Sequence, residues 1–279
     1  MKKVILLTGA TGFVGKNILT QLMQQGFSVR LVIRKGKEHL IPKSDLIESM
    51  VICEDLFEES ESFWEKACLN IDTFIHCAWY AEPGKYQVSK KNFDCLKGTY
   101  EIIKGATKAK IKKFVGIGSC AEYEISKNPI TVNTPLNPKT PYAACKASTF
   151  LILSQWCSVH KINFAWCRLF YLYGEGEHPN RLYPYIISQL KANKTVEMSS
   201  GNQIRDFLEI KDAAKKITKI AINDLNGPFN ICSGNGISIK EFAENIANKY
   251  QKSHLLRFGV REDNHFDPPH VVGVEKFID

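Results

Sequence analysis

The chain has 279 residues, of which 44% are hydrophobic and 24% charged, and its formal net charge is +8 at pH 7. The lysines are scattered without the dense basic run of a nucleic-acid-binding tail, and no stretch approaches the ~18–20 apolar residues of a membrane span, so we expect neither nucleic-acid nor membrane partners. The nine cysteines are odd in number and form no C-x-x-C pair, which indicates buried thiols in a cytoplasmic, reducing environment rather than a disulfide framework or zinc site.

Apolar, β-rich segments alternate with predicted helices over the first 170 residues. Strands are predicted in KVILLTG, SVRLVIR, SMVICED, DTFIHCA, KKFVGIGS and NFAWCRLF. A helix follows the first strand and ends near Gly26, a longer one spans residues 86–108, and a third runs from Pro141 to about His160. This alternation predicts an α/β fold with a Rossmann-type doubly wound parallel sheet and helices on both faces.

The pattern becomes irregular after Phe170. Helices are predicted near residues 181–192, 211–222 and 238–251, and strands in RDFLEI and PFNIC. This part predicts a smaller C-terminal lobe that rests on the carboxyl edge of the sheet. We therefore expect a Rossmann domain at residues 1–170, with 200–225 returning to it, and a substrate-binding lobe at 171–199 and 226–279.

A glycine-rich turn joins the first strand to the first helix. The stretch LLTGATGFVG places Gly9, Gly12 and Gly15 there. Glycine lets the backbone turn sharply and approach a pyrophosphate, and the helix N-terminus offers N–H groups and a positive dipole end to the anion. In this context the turn predicts a dinucleotide cofactor bound to the N-terminal domain, rather than a purely structural turn.

The end of the second strand indicates which dinucleotide binds. A carboxylate there would bond the ribose 2′-hydroxyl of NAD, but the strand ends in Arg34 followed by Lys35. These cations suit a 2′-phosphate, so NADP(H) is predicted to be preferred, with NAD(H) as the alternative. The other interpretation of Arg34 is a solvated charge in a loop, with no ligand. Asp55, after the third strand, is a candidate ligand of the adenine amine.

Four Tyr-x-x-x-Lys pairs occur in the chain, and this spacing puts both side chains on one face of a helix. Context selects Tyr142 and Lys146, because this pair opens the helix after the strand that ends in Ser119. Only small residues lie between the partners, which leaves room for a cofactor. The other pairs lie on the preceding helix or in a loop, where a surface pair is the expected interpretation.

These features, taken together, resemble the extended short-chain dehydrogenase/reductase family, and within it the nucleotide-sugar epimerase/dehydratase/reductase group. The motifs cover nearly the whole chain and are Thr8-Gly9-Ala10-Thr11-Gly12-Phe13-Val14-Gly15, Asp55-Leu56, His76-Cys77-Ala78, Gly118-Ser119, Tyr142-x-x-x-Lys146, Arg168-Leu169-Phe170, Tyr173-Gly174 and Arg205-Asp206-Phe207. The resemblance implies cofactor contacts from Gly9, Thr11, Gly12, Phe13, Val14, Gly15, Arg34, Asp55, Leu56, Cys77, Ala78, Tyr142, Lys146 and Phe170.

The resemblance also implies catalytic roles. Tyr142 is the general acid/base, Lys146 its partner and Ser119 the hydroxyl that holds the reacting oxygen. A phenol with a pKa of ~10 is a poor acid–base group at neutral pH, and a nearby ammonium favours its ionised form. Lys146 would also bond the nicotinamide ribose, and Ser119 can donate to an oxygen on which negative charge develops.

The residues after Ser119 bear on the reaction type. Dehydratases of the group usually follow this position with an Asp-Glu pair, whereas this chain has Cys120-Ala121 and places Glu122 one step further on. Epimerases of the group that invert beside a ketone often have a cysteine two residues after the serine, where Ala121 stands, and a histidine after Tyr-Gly; here His178 is displaced. The minimal set favours an NADPH-dependent reductase of a nucleotide-linked 4-keto-6-deoxy sugar for surface polysaccharide synthesis.

The substrate side is less fully specified. Ser119, Tyr142, Tyr171, Arg181 and Arg205 are candidate substrate ligands, since guanidinium groups fit phosphate well. The family commonly has Asn at the position of Tyr171. The resemblance further implies a homodimer that pairs the two helices of Tyr100 and Tyr142 as a four-helix bundle. The alternatives are an epimerase or dehydratase with a recycled cofactor, a non-catalytic NADP-binding sensor, and a reductase or isomerase of a small carbonyl compound.

Overall fold

The computed structural model describes residues 3–263 and 267–275. The strands, in chain order, are β1 Val4–Thr8, β2 Ser28–Arg34, β3 Ile47–Cys53, β4 Thr73–His76, β5 Lys113–Ser119, β6 Asn163–Leu169, β7 Tyr171–Tyr173, β8 Val196–Glu197, β9 Ile204–Glu209, β10 Gly227–Ile231, β11 Gly236–Ser238, β12 Leu256–Arg257 and β13 His270–Val271. The α-helices are α1 Phe13–Gln24, α2 Glu61–Ala67, α3 Lys91–Lys108, α4 Pro141–Val159, α5 Leu182–Lys191, α6 Ile210–Ile222 and α7 Ile239–Lys249.

A seven-stranded sheet forms the centre, in the order β10-β6-β5-β4-β1-β2-β3. Every neighbouring pair in it is parallel. The predicted Rossmann-type doubly wound sheet is therefore confirmed. The chain order changes direction between β1 and β4, and ligands of such sheets bind in the crevice outside the carboxyl ends of the strands at this point.

Both faces of the sheet are buried under helices, which explains the continuous apolar runs of the strands. Ile5 and Leu7 point to the face covered by α1 and α6, whereas Leu6 points to the face covered by α2, α3 and α4. This alternation is the two-residue period of a strand. All nine cysteines are free, and seven of them are buried.

The C-terminal lobe has its own sheet and core. Strands β11, β9 and β13 pair in that order, β7 also pairs with β9, and β12 pairs with β8. Helices α5 and α7 pack together, with Ile186 and Phe242 in the shared core. No helix in the described part of the chain, 3–263 and 267–275, meets the length and apolarity needed to cross a membrane.

The structure departs from the sequence-based expectation in three places. The strand β10 joins the edge of the large sheet, although residues 226–279 were assigned to the lobe. Within 200–225, β9 belongs to the small sheet while α6 packs on the large one. Helix α3 begins at Lys91, because residues 86–88 form a separate 3₁₀ turn.

Lys113 provides a test of what fixes β10 and α6 to the sheet. Its ammonium is buried and donates to the carbonyls of Ile220, Asn223 and Leu225, which end α6 and lead into β10. Lys113→Met leaves these carbonyls without their donor, so we expect the free energy of unfolding to fall by about 2–4 kcal/mol in denaturant titrations.

Lys112→Met is the matched control for this measurement. Lys112 is the neighbouring lysine, and its side chain is 78% exposed and paired with Asp72 at 2.6 Å. Exposed ion pairs contribute little, so the loss should stay below about 1 kcal/mol. A loss in Lys113→Met as small as the one expected for Lys112→Met would show that the Lys113 contacts contribute little to the stability of the fold.

Candidate active site

The glycine turn forms a tight cradle at the start of α1. Gly9 has a φ of +74°, which favours glycine, and its carbonyl accepts from the Gly12 N–H at 3.0 Å. A Cβ on Gly15 would lie 2.1 Å from the Gly9 oxygen, and one on Gly9 would lie 2.8 Å from the Ala78 nitrogen. No acidic residue and no side-chain cap occupies the first turn of α1. The cradle fits an anionic pyrophosphate.

The predicted cofactor residues come together at the carboxyl edge of the sheet. Thr11, Phe13 and Val14 belong to the turn and first helical residues after β1, while Asp55-Leu56, Cys77-Ala78 and Phe170 follow β3, β4 and β6. Two of these residues already have contacts within the protein. Asp55 Oδ1 already accepts from the Phe57 N–H at 3.0 Å, and Phe170 is buried in a cluster with Tyr123 and Val271.

The cations after β2 are exposed. Arg34 ends the strand with its side chain in solvent. The Lys35 ammonium instead lies 2.6 Å from Glu54 Oε1. Of the two predicted ligands of a 2′-phosphate, Arg34 is thus the one without a carboxylate partner among the ion pairs of the described residues.

A buried histidine supports the floor of the crevice. His76 Nδ1 lies 2.9 Å from Thr8 Oγ1, and His76 Nε2 lies 3.2 Å from Thr99 Oγ1. Burial lowers the pKa of His76 to about 3, with the charge of Lys146 acting in the same direction. The ring is therefore neutral at physiological pH and ties the ends of β1 and β4 to α3.

Helix α4 begins where the catalytic pair was predicted. Thr140 caps it by accepting from the Ala143 N–H at 3.2 Å, and Pro141 occupies the first turn. Tyr142 interacts through a hydrogen bond with Ser119, at the end of β5. The pair and the serine are thus brought together from the end of β5 and the start of α4.

Lys146 lies one turn further along α4 and is 4% exposed. Its Nζ donates to the Ile117 carbonyl at 2.6 Å and lies 3.8 Å from the centre of the Trp79 ring. Burial lowers the pKa of Lys146 to about 8, and the carboxylate of Glu122 opposes this shift. Trp79, which directly follows the His76-Cys77-Ala78 motif, was not among the site residues predicted from the sequence.

The Tyr142 phenol is protonated at neutral pH. Burial is the main cause that raises its pKa, the nearby Tyr86 hydroxyl adds to the shift, and the hydrogen bond with Ser119 opposes it. The rings of Tyr86 and Tyr142 meet edge to face, with centroids 4.7 Å apart. A proton-bearing phenol in this position can act as an acid toward a substrate oxygen.

Three of the predicted substrate ligands, Tyr171, Arg181 and Arg205, lie on the lobe side. The Arg181 guanidinium is 5.5 Å from the Tyr86 ring centre, and that of Arg205 is 5.1 Å from the Tyr171 ring centre. Arg205 is 1% exposed, donates to the Ile204 carbonyl at 2.8 Å and lies 3.3 Å from Asp267. Arg181 therefore lies beside Tyr86, whose ring contacts that of Tyr142, while Arg205 already has partners within the protein.

Other candidates for acid–base chemistry are unsuited to it. Burial raises the pKa of the Cys120 thiol to about 12. Glu122 is fully buried and paired with Arg168 at 2.7 Å. His178 is exposed, and its Nδ1 accepts from the Asn180 N–H at 3.2 Å. Of the residues predicted from the sequence, Ser119, Tyr142 and Lys146 are thus the candidates for proton transfer.

Comparison with known proteins identifies relatives along the whole chain. A protein from Aggregatibacter actinomycetemcomitans, dTDP-6-deoxy-L-talose 4-dehydrogenase (NAD(+)), is 26% identical over 276 residues, covering 97% of this chain and 99% of the relative. CDP-abequose synthase of Salmonella typhimurium strain LT2 is 26% identical over 275 residues, covering 94% of this chain and 86% of the relative.

Solved structures share the fold. UDP-N-acetylglucosamine 4-epimerase from Methanobrevibacter ruminantium M1, in complex with UDP-N-acetylmuramic acid, superposes with a TM-score of 0.86 at 24% identity, covering 99% of this chain and 90% of that one. The dTDP-glucose 4,6-dehydratase DesIV from Streptomyces venezuelae, with NAD and TYD bound, gives 0.82 at 18%, covering 98% and 88%.

The family profile described as NAD dependent epimerase/dehydratase family matches residues 5–232. This range contains the glycine turn, Ser119 and the Tyr142–Lys146 pair. The resemblance to the extended short-chain dehydrogenases/reductases is thereby confirmed. The chain is an enzyme of the NAD dependent epimerase/dehydratase family.

Proposed function

We propose that this enzyme uses NADPH to reduce the keto group of a nucleotide-linked 4-keto-6-deoxy sugar. The observation that carries the proposal is the composition of the site: Ser119 and Tyr142 lie together, Lys146 follows one turn along α4, and the turn after Ser119 supplies no free acid or base, because its carboxylate, Glu122, is paired with Arg168. This set suits carbonyl reduction. Nucleotide-sugar relatives that include a 4-dehydrogenase and CDP-abequose synthase support a nucleotide sugar as the substrate class.

In this mechanism the bound cofactor supplies the hydride, and the protein supplies orientation and a proton. The Tyr142 hydroxyl donates its proton to the substrate oxygen as negative charge develops there. The Ser119 hydroxyl donates a second hydrogen bond to the same oxygen. The Lys146 ammonium stabilises the phenolate that remains, and with one backbone acceptor at Ile117 it keeps N–H donors for the cofactor ribose.

The structure argues against dehydration by the same site. Removal of water needs an acid and a base beside the reacting carbons, but the half-buried positions 120 and 121 carry a thiol and a methyl group. The nearest carboxylate, Glu122, faces Arg168 and Trp166 in the interior. Epimerisation with a recycled cofactor is the remaining alternative, and product analysis separates it from reduction.

The first test mixes the protein with NADPH and a panel of CDP-, dTDP-, GDP- and UDP-linked 4-keto-6-deoxy sugars. We expect net NADPH oxidation, and a loss of about 10²–10⁴ in kcat for Tyr142→Phe. Tyr100→Phe is the control, because Tyr100 has the same spacing to Lys104 but lies on α3. A changed sugar without net oxidation, detected by NMR, would instead establish the epimerase.

We infer a preference for NADP(H) from the exposed Arg34 at the end of β2. Arg34→Ala removes the guanidinium that would pair with the 2′-phosphate, so the Kd for NADPH should rise about ten- to a hundredfold while that for NADH stays constant. Fluorescence titration measures both. Lys37→Ala, an exposed lysine in the same loop, is the control; an equal effect on both cofactors in Arg34→Ala would contradict the preference.

We also propose a cytoplasmic homodimer. The nine free cysteines suit a reducing compartment. Apolar side chains stand exposed on α3 and α4, with Phe93 60%, Leu151 54% and Ile152 46% exposed. Such exposed groups on neighbouring helices fit a bundle between two copies.

Sedimentation velocity tests the dimer. We expect the wild type to sediment as a dimer at micromolar concentration and Leu151→Asp as a monomer, because the carboxylate would be buried in the interface. Lys139→Asp, which introduces the same charge outside both helices, should leave the dimer intact. A monomeric wild type would refute the proposal.

A further inference from the structure

Glu122 is a buried carboxylate directly behind the candidate active site. It ends the short 3₁₀ turn Cys120–Glu122 that follows β5, and it is 0% exposed. Its Oε1 accepts from the Ser119 N–H at 2.7 Å, its Oε2 accepts from Arg168 Nε at 2.7 Å, and both oxygens lie 3.1 Å from Trp166 Nε1. Each of these partner groups is a hydrogen-bond donor, so both oxygens of the Glu122 carboxylate act as acceptors.

The partner of Glu122 is anchored in its turn. Arg168 is 1% exposed and donates from Nη1 to the Tyr123 hydroxyl at 3.0 Å, and that hydroxyl donates to Asn230 Oδ1 at 2.8 Å. The network therefore links the turn after β5 to β6 and β10. Burying an ion pair carries a desolvation cost that often cancels its attraction, so stability alone does not account for the pair.

The geometry at Ser119 suggests what the pair does. Ser119 and Glu122 form a reciprocal capping box: the carboxylate holds the Ser119 N–H, and Ser119 Oγ accepts from the Ala121 N–H at 3.2 Å. Because that backbone donor occupies one acceptor site of the hydroxyl, the O–H hydrogen is directed away from the turn. It is then available to the reacting oxygen.

Gly118 is part of the same arrangement. A Cβ there would lie 2.4 Å from Glu122 Oε1 and 2.2 Å from Trp166 Nε1. Only a residue without a side chain lets the carboxylate pass under the end of β5. The Gly118-Ser119 dipeptide and Glu122 thus form one unit.

We propose that Glu122 is a positioning residue: it fixes the Ser119 backbone so that the Ser119 hydroxyl remains a donor toward Tyr142 and the substrate oxygen. This inference rests on the proposed role of Ser119. It assigns to Glu122 neither an acid nor a base function. It predicts that kcat depends more on the length of the Glu122 side chain than on its charge.

Two conservative variants separate reach from charge. Glu122→Gln keeps the length and an oxygen acceptor for the Ser119 N–H but removes the charge and turns an NH2 group toward Arg168, whereas Glu122→Asp keeps the charge and withdraws it by one methylene. We expect kcat to stay within about threefold for Gln and to fall at least about tenfold for Asp, with KM changed less than about twofold in both. A larger loss of kcat in Gln than in Asp would overturn the proposal.

A double-mutant cycle tests the route through Ser119. In a Ser119→Ala background, Glu122→Asp should change kcat by less than about twofold, because the hydroxyl that it positions is gone. An equal loss of kcat in both backgrounds would overturn the proposal. The melting temperature and the NADPH affinity of each variant identify a general loss of folding, and the Asp cycle suffices if the Gln variant does not fold.

Amide hydrogen exchange gives a readout that does not depend on turnover. The Ser119 N–H should exchange at least about tenfold faster in Glu122→Asp than in the wild type or Glu122→Gln. Unchanged exchange in Glu122→Asp would overturn the positioning role. A wild type that is inactive on every sugar, or unaffected in kcat by Ser119→Ala, would refute the proposed function instead, and the exchange measurement would still decide where the Ser119 backbone is held.

Discussion

The close approach of three backbone segments at Gly9 is the constraint on which the cofactor crevice depends. The carbonyl of Gly9 lies against Gly15 of α1, and its Cα faces the Ala78 nitrogen after β4. Side chains at these glycines would separate the helix from the strand. Because the glycines let these segments pack closely, α1 begins directly above β1 and its first amides face the gap between β1 and β4.

Buried ionisable groups gather around this crevice, and each is held by a particular partner. His76 sits between two threonine hydroxyls. Lys146 lies on the Trp79 ring and donates to a carbonyl, while Glu122 faces Arg168. Burial disfavours charge in all of them, so their partners decide which remain ionised. The fold tolerates these costs where the proposed chemistry needs a charge or a proton, as at Lys146 and Tyr142.

Local patterns of the sequence predicted the central sheet, and they singled out Tyr142 and Lys146 as the candidate catalytic pair. Each of these patterns is contained within about 20 residues of chain: the apolar runs, the glycine turn and the Tyr142–Lys146 spacing. Strand and helix periods can be recognised in a sequence on this scale. Long-range contacts could not be predicted in this way. Trp79 covers Lys146 across more than 60 residues, and β10 pairs with β6 after an intervening lobe. The short helix α2 and the three-residue strand β7 were not predicted, because segments this short show almost no periodic pattern of apolar residues.

The turn after β5 shows how one position in the sequence bears on the chemistry. In a 3₁₀ turn, with three residues per turn, successive side chains point about 120° apart. Cys120 and Ala121 are half-buried, whereas Glu122, three residues after Ser119, is directed into the interior beneath Gly118. A carboxylate at that position can hold the Ser119 N–H and Arg168 but is shielded from a ligand in the crevice. Whether a carboxylate in this turn can act as an acid or base on a ligand thus depends on how many residues separate it from the serine, and not only on its being there.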